Sequence, residues 1–181
     1  MTTGGSIGSP YVLETPLGPV ALMFEDGCLA GLSFLDGPFP ETPAGVPAGA
    51  DNVDQAANKA ADKPPSKAAG EALELVRHEL DLYFEGKLRG FSIPLKLSGP
   101  PFYVRVWHAL TTIPFGETRT YRQVAAQVGS PEAFRAVGNA CAANPIAIIV
   151  PCHRVVASCG LGGYGGGLHR KEWLLRHEFG R

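Results

Sequence analysis

A thiol and an imidazole stand side by side at Cys152 and His153, inside the stretch Ile149-Val150-Pro151-Cys152-His153-Arg154-Val155. A thiolate is a strong nucleophile, and imidazole is the side chain best suited to take its proton near neutral pH. Adjacent residues usually project apart, so His153 would reach the Cys152 sulfur through a bridging water or a sharp turn. A base of this kind also needs a carboxylate to orient it, as in nucleophile–base–acid triads. The acids nearby are Glu172 and Glu178, both in the last helical segment, and spacing does not choose between them. No metal is expected, because Cys28, Cys141 and Cys159 form no CxxC spacing with Cys152 and no zinc ligand set. An inert core cysteine is the competing reading and the more common case. Against it stand the adjoining His153, the turn fixed by Pro151, and the loop "GLGGYGGGL", whose glycines around Tyr164 let backbone approach a flat ligand.

Several elements must position these groups. The run "IAIIV" after Pro145 reads as a buried strand that delivers Cys152 at its end. "FYVRVWHALTTI" carries Phe102, Val106, Ala109, Leu110 and Ile113 at helical spacing and ends at Pro114 and Gly116. Thr120-Tyr121-Arg122-Gln123 is a capping box that starts a helix stopping at Gly129. Ser130-Pro131 reads as the N-cap and first turn of the next helix, which ends near Asn144 because Pro145 follows. Two short helices joined by a tight turn outline a helix-turn-helix. The second of them, "PEAFRAVGNACAAN", presents Ala133, Ala136, Gly138 and Ala140 with Arg135 as its only cation. A major-groove recognition helix carries several long polar side chains, whereas a smooth helix suits the narrow minor groove. A helix buried on two sides would look the same. The chain closes with the helix "HRKEWLLRHEF", anchored by Trp173, Leu174 and Leu175.

The first half is organised differently. Residues 11–35 alternate β-prone runs with turn signals at Pro16-Leu17-Gly18 and Asp26-Gly27, an antiparallel meander of three strands. Residues 37–70 are rich in Pro, Ala and Gly without periodicity and read as a long connection. Leu73, Val76, Leu80, Tyr83 and Phe84 form a helical stripe over 71–85, expected to pack on the meander, and "FSIPLKL" is a short strand or linker. The expected organisation is an N-terminal α/β domain over 1–97 and a C-terminal domain over 98–181.

A chain of 181 residues, 45% hydrophobic and 18% charged, has the composition of a soluble globular protein. No apolar run approaches the roughly 20 residues that span a bilayer, and the N-terminus lacks the pattern of a secretory signal. No membrane association is expected, and the expected compartment is the cytoplasm, where the four cysteines stay free thiols. The net charge of −1 hides an asymmetry: from Ser98 on, nine Lys and Arg face four Glu, a charge of +5, and the rest is −6. A basic half on a neutral protein points toward nucleic acid, although an ordinary solvated surface explains it too.

The pieces "VW.AL..IPFGET.TY", "RAVGNA", "IIVPCHRVV", "GYGGG" and "KEWLLRHE" stand in one order between Phe102 and Glu178. This segment resembles the O6-alkylguanine-DNA alkyltransferases, the methylated-DNA–protein-cysteine methyltransferases; the first half matches more loosely, through "TPLGPV" and "YF". The resemblance implies a ribonuclease-H-like small sheet with a helix in the N-terminal domain and a winged-helix-like helix-turn-helix in the C-terminal one, an α+β fold. It also implies direct repair of double-stranded DNA, with the O6-alkyl group of guanine, or the O4-alkyl group of thymine, moved irreversibly to Cys152 after base flipping. His153 would deprotonate Cys152 through water and Glu178 would orient His153. Tyr121 would crowd the 3′ phosphate and donate to the departing base. Arg135 would fill the gap left in the stack, with Ala136 and Gly138 against the minor groove. Asn144 would tie the helix pair to the active-site loop, and the backbones of Cys152 and Val155 would accept from the guanine amine, with Tyr164 and Gly165 lining the pocket near O6.

The resemblance further implies no cofactor, a monomer, and one turnover per molecule. The loop "ASCGLG" is slightly shorter than is usual in the family, and the position after Tyr164 is Gly165 where some relatives carry a side chain. Two non-enzymatic readings compete. An alkyltransferase-like protein that only binds alkylated bases lacks the acceptor cysteine, which is present here. A helix-turn-helix regulator leaves the Cys–His pair and the glycine loop without a role.

Overall fold

The computed structural model describes residues 10–35 and 67–180. Strands β1 (Tyr11–Leu13), β2 (Val20–Glu25) and β3 (Cys28–Phe34) form the expected antiparallel meander, in that order. The β2–β3 turn works because Asp26 and Gly27 both take positive φ, 53° and 78°, which matches the right-handed twist of the flanking strands. Helix α1 (Lys67–Phe84) packs on this sheet with Val76, Leu80 and Tyr83 at zero to 1% exposure, each contributing about 1.5–3 kcal/mol by burial. It begins at Lys67, earlier than the apolar stripe indicated, because Ala68 and Ala69 extend the helix without a sequence signal of their own. Apart from its last four residues, the long connection expected over 37–70 lies outside the described residues. "FSIPLKL" is a linker tied to β3 by a single bridge, where the Leu29 N–H donates to Pro94 O and the Lys96 N–H donates to Leu29 O, while the Ser92 N–H and hydroxyl bond Glu79 of α1.

The second half contains α2 (Pro101–Thr111), β4 (Arg119–Thr120), α3 (Tyr121–Gln127), α4 (Phe134–Ala142), a 3-10 turn (Cys152–Arg154), β5 (Val155–Val156) and α5 (Leu168–Phe179). The α3 capping box is present: the Thr120 hydroxyl accepts from the Gln123 N–H at 3.2 Å and the Gln123 side chain accepts from the Thr120 N–H at 2.7 Å. Gly129, at φ 75°, turns the chain toward α4. Ser130 does not cap α4 as expected. It closes a turn through its carbonyl, which accepts from the Ala133 N–H at 2.9 Å, and α4 starts at Phe134 after Ala133. A Ser-Pro pair satisfies a turn as readily as a helix start, and here the turn lies between helices that pack on each other. Val137 and Ala140 of α4 are buried while Arg135 and Asn139 are exposed, so the helix is covered on one side only. The Trp107 indole N–H donates to Ala140 O at 2.8 Å and locks α2 to α4.

The expected strand at "IAIIV" is not formed. Only Ile146 pairs with β3, and then the chain turns: the Ile149 N–H donates to Ala147 O, with Ile148 at φ 69° between them. A β-branched residue at positive φ is rare and strained, and burial of the Ile148, Ile149 and Val150 side chains compensates for it. The apolar run reflects burial rather than strand geometry, and periodicity cannot separate the two.

The two halves share one core and are pinned by polar contacts. Arg170 of α5 donates from Nε to Leu17 O at 2.9 Å and lies 4.3 Å over the Phe34 ring. Parallel pairing of β4 with β5, Arg119 opposite Val155, ties the start of α3 to the segment just after Cys152. Among the described residues no helix is long and apolar enough to cross a membrane.

Candidate active site

Two tight turns in succession place Cys152. After the Ile148 turn, Pro151 adopts φ −81° and ψ 64°, an inverse γ turn in which the Cys152 N–H donates to Val150 O at 2.8 Å. Cys152 then opens the 3-10 turn, buried at 6% exposure. Its Sγ accepts a hydrogen bond from Asn144 Nδ2 at 3.1 Å. The same amide nitrogen donates to Val150 O at 2.8 Å, and Asn144 Oδ1 accepts from the Ile146 N–H at 3.1 Å. Asn144 therefore holds both ends of the irregular turn and touches the sulfur, immediately after α4.

His153 is fully buried, and its Nε2 lies 2.9 Å from Glu178 Oε1. With a carboxylate there, Nε2 carries the hydrogen and Nδ1 keeps a free lone pair; Nδ1 is buried with no protein partner. Of the two acids left open by the sequence, Glu178 is the one that meets His153. Glu172 sits on the outer side of α5, 3.7 Å from Arg176.

Glu178 is held by more than histidine. Arg154 forks onto it, Nε to Oε2 at 2.8 Å and Nη2 to Oε1 at 2.9 Å, and Arg154 Nη1 donates to Ile113 O. Tyr83 donates to Oε1 at 2.7 Å and the Gly116 N–H to Oε2 at 3.2 Å. Burial alone would raise this carboxyl, but the hydrogen bonds and charges of His153 and Arg154 hold it well below the usual carboxylate range. Burial pushes the Cys152 thiol up, opposed by the Asn144 hydrogen bond and the Lys171 charge. Burial also lowers His153, against the pull of Glu178. Both shifts favour the uncharged forms, a thiol at Cys152 and an imidazole at His153.

Lys171 is fully buried, its Nζ donating to Val155 O at 2.6 Å and Gly163 O at 3.0 Å. It clips the glycine loop to β5, and it engages one side of the Val155 carbonyl. Tyr121, half-buried at the start of α3, lies against that loop. A side chain at Gly162 would come within 2.9 Å of the Tyr121 ring and hydroxyl, and Gly162 also sits at φ 71°. Tyr164 has a buried hydroxyl with no protein partner, and Gly165 is exposed beside it. Asn144 touches the Cys152 sulfur, and Tyr121 and Tyr164 both lie close enough to Cys152 for its charge to raise their phenols, after the larger effect of burial.

Arg135 is exposed on α4 while Ala136 and Gly138 are half-buried, and a Cβ at Gly138 would lie 3.9 Å from the Tyr121 ring. The Phe134 ring beside Arg135 is capped by Arg122 at 4.4 Å, so cations of α3 and α4 share one surface.

The sequence did not single out Arg154, Lys171, Gly116 or, as a site residue, Tyr83. A signal existed for one of them: Lys171 lies seven residues before Glu178 in α5 and so shares the face of Leu174 and Leu175, where unpaired charges would be costly.

Residues 11–97 match the family profile described as "6-O-methylguanine DNA methyltransferase, ribonuclease-like domain", and residues 101–179 match "6-O-methylguanine DNA methyltransferase, DNA binding domain". The chain is 44% identical over 167 residues to the methylated-DNA–protein-cysteine methyltransferase of Mycobacterium leprae, covering 92% of this chain and 89% of that one. It resembles the crystal structure of Mycobacterium tuberculosis O6-methylguanine methyltransferase at 39% identity and TM-score 0.73, over 97% of this chain and 94% of that one. A structure of the Mycobacterium tuberculosis protein in complex with DNA matches at 38% identity and TM-score 0.70, over 93% and 92% of the two chains. With both profiles matched in order and the site built around a buried Cys–His–Glu array, this chain belongs to the 6-O-methylguanine DNA methyltransferase family.

Proposed function

We propose that the protein repairs alkylated DNA directly, moving the O6-alkyl group of guanine, or the O4-alkyl group of thymine, to its own Cys152. The observation that carries this reading is the buried Cys152 sulfur, hydrogen-bonded by Asn144 and next to a histidine that Glu178 holds in one tautomer.

In the proposed step a new S–C bond forms at Cys152 as the O6–C bond breaks in line, and the bonding pair leaves with the guanine oxygen. The thiol proton passes through water to His153 Nδ1, the ring nitrogen without a protein partner. Glu178 favours the imidazolium that results. The Tyr121 hydroxyl supplies a hydrogen bond to the departing base. A neutral thioether gives up its alkyl group to a nucleophile only very slowly, so each molecule acts once. The damaged base is itself the alkyl donor, and the reaction calls for no cofactor or metal.

The target base must leave the duplex to reach a thiol as buried as Cys152, and an O6-alkylated guanine pairs poorly enough to lower that cost. The smooth surface of α4, with the half-buried Ala136 and Gly138 and the exposed Arg135, supports docking in the minor groove, where Arg135 replaces the flipped nucleotide in the stack. Val155, Tyr164 and Gly165 then bound the base. The division into an N-terminal domain over 1–97 and a catalytic domain over 98–181, action as a monomer, and a cytoplasmic location belong to the same proposal.

The test is a titration against excess duplex carrying O6-methylguanine with a labelled methyl group. Transfer should stop at one methyl per protein molecule. Continued turnover, or no transfer to protein, would overturn the reading.

A further inference from the structure

Four of the five hydrogen-bond contacts on Glu178 come from its own half of the chain, and one does not. Tyr83 stands in the last turn of α1, fully buried, and donates to Glu178 Oε1 at 2.7 Å. That same oxygen is the partner of His153 Nε2 at 2.9 Å and of Arg154 Nη2 at 2.9 Å. Tyr83 and His153 therefore draw on the charge of one atom.

The phenol cannot swing away. The rings of Phe84, Phe91, Phe115 and His177 surround it with centroids 5.3–6.0 Å off. Its backbone carbonyl lies 2.8 Å from His177 Nε2, one residue from Glu178. Burial, and then the negative charge of Glu178, keep the phenol protonated far beyond neutral pH, so it is always a donor.

We propose that Tyr83 is a positioning residue for the reaction, through which the N-terminal half sets how strongly Glu178 holds His153. This rests on the reading that His153 receives the Cys152 proton. The other charged or titratable groups facing the pair are Arg154 and Cys152 on the nucleophile turn, Lys171 on α5 and Tyr164 in the glycine loop. Among these neighbours Tyr83 alone belongs to the N-terminal half.

The direction follows from the shared oxygen. A donor on Oε1 withdraws negative charge that would otherwise stabilise the imidazolium. Removing it in Tyr83→Phe makes Oε1 a better acceptor for protonated His153, which then titrates at higher pH, and the acid limb of methyl transfer moves the same way. Replacing Tyr83 site-specifically with 3,5-difluorotyrosine keeps the shape but strengthens the donor, and the limb should move to lower pH.

The experiment measures single-turnover transfer from an O6-methylguanine duplex against pH, and the titration of His153 by imidazole nitrogen NMR, in the full-length protein. Tyr83→Phe should shift both upward by about half a pH unit, the fluorinated protein should shift both downward, and duplex affinity should not change. Profiles that superimpose on the wild type, with only an earlier melt, would make Tyr83 a structural brace and overturn the proposal. If Tyr83→Phe does not fold, the fluorinated protein decides alone by the same criterion. If the wild type transfers no methyl group, the repair reading fails, while the His153 titration still reports whether Tyr83 acts on the pair.

Discussion

Asn144→Ala is the substitution that separates holding the nucleophile from activating it. The side chain makes three contacts: Nδ2 to Val150 O, Nδ2 to Cys152 Sγ, and Oδ1 from the Ile146 N–H. Val150 O keeps a partner in the Cys152 N–H, whereas among the described residues the Ile146 N–H has only Asn144 Oδ1 as its acceptor. One buried orphan donor and two lost bonds of ordinary strength come to about 3 kcal/mol, a large part of a typical stability of about 5–15 kcal/mol. The kinetic effect is separate. Asn144 provides the side-chain hydrogen bond that favours the thiolate over the thiol. A hydrogen bond to a charged group is worth about 1.5–3 kcal/mol, so its loss raises the thiol further and slows transfer about 10–100-fold at neutral pH. Denaturant unfolding gives the first number. Iodoacetamide alkylation and methyl transfer across pH, well below the melting transition, give the second. If the variant loses stability but Cys152 reacts with the wild-type midpoint and rate, Asn144 acts only as a hinge and the electrostatic part of the reasoning is wrong.

Two further outcomes follow from the Glu178 cluster and from α4. Glu178→Gln leaves Arg154 buried without its carboxylate and should cost about 3–5 kcal/mol at neutral pH by calorimetry. Because the folded Glu178 carboxyl is held below its ordinary value of 4.5, its stabilisation is complete above that pH and is lost as pH falls beneath it. The melting temperature of Glu178→Gln should accordingly decline less steeply in that acid range, and an unchanged slope would remove Glu178 as its source. Arg135→Ala should slow transfer from duplex DNA by about 10-fold or more, while reaction with free O6-methylguanine base stays within about 2-fold, since a filled stack matters only when a nucleotide is extruded. Equal losses on both substrates, read in the same assay, would show that Arg135 has no part in flipping.

Where local chemistry decides the conformation, the sequence was readable. The Asp26-Gly27 turn, the Thr120–Gln123 capping box and the stripe Val76, Leu80, Tyr83 all recur in the structure, because each is fixed by residues within one or two turns. "IAIIV" misled for the opposite reason. Its side chains are buried as the pattern implied, but pairing with β3 stops at Ile146 and tertiary packing holds Ile148 at positive φ. Ser130 misled because turn and helix start share the same residues. In the site, Cys152, His153 and Tyr121 stood out by type and neighbours, and family resemblance selected Glu178. Arg154, Lys171 and Tyr83 did not stand out, since their roles depend on contacts across 24, 16 and 95 positions of chain. Buried charge within the apolar face of α5 was the trace Lys171 left, and only geometry identified its partners.

The central claim is that Cys152 is the alkyl acceptor. Its most direct test is to incubate the protein with a duplex containing O6-methylguanine, digest it, and weigh the peptides that contain Cys28, Cys141, Cys152 and Cys159. The account predicts one added methyl group on the Cys152 peptide, none on the other three, and a matching loss of methyl from the DNA. A methyl group on another cysteine, or demethylated DNA with every cysteine peptide unmodified, would contradict it.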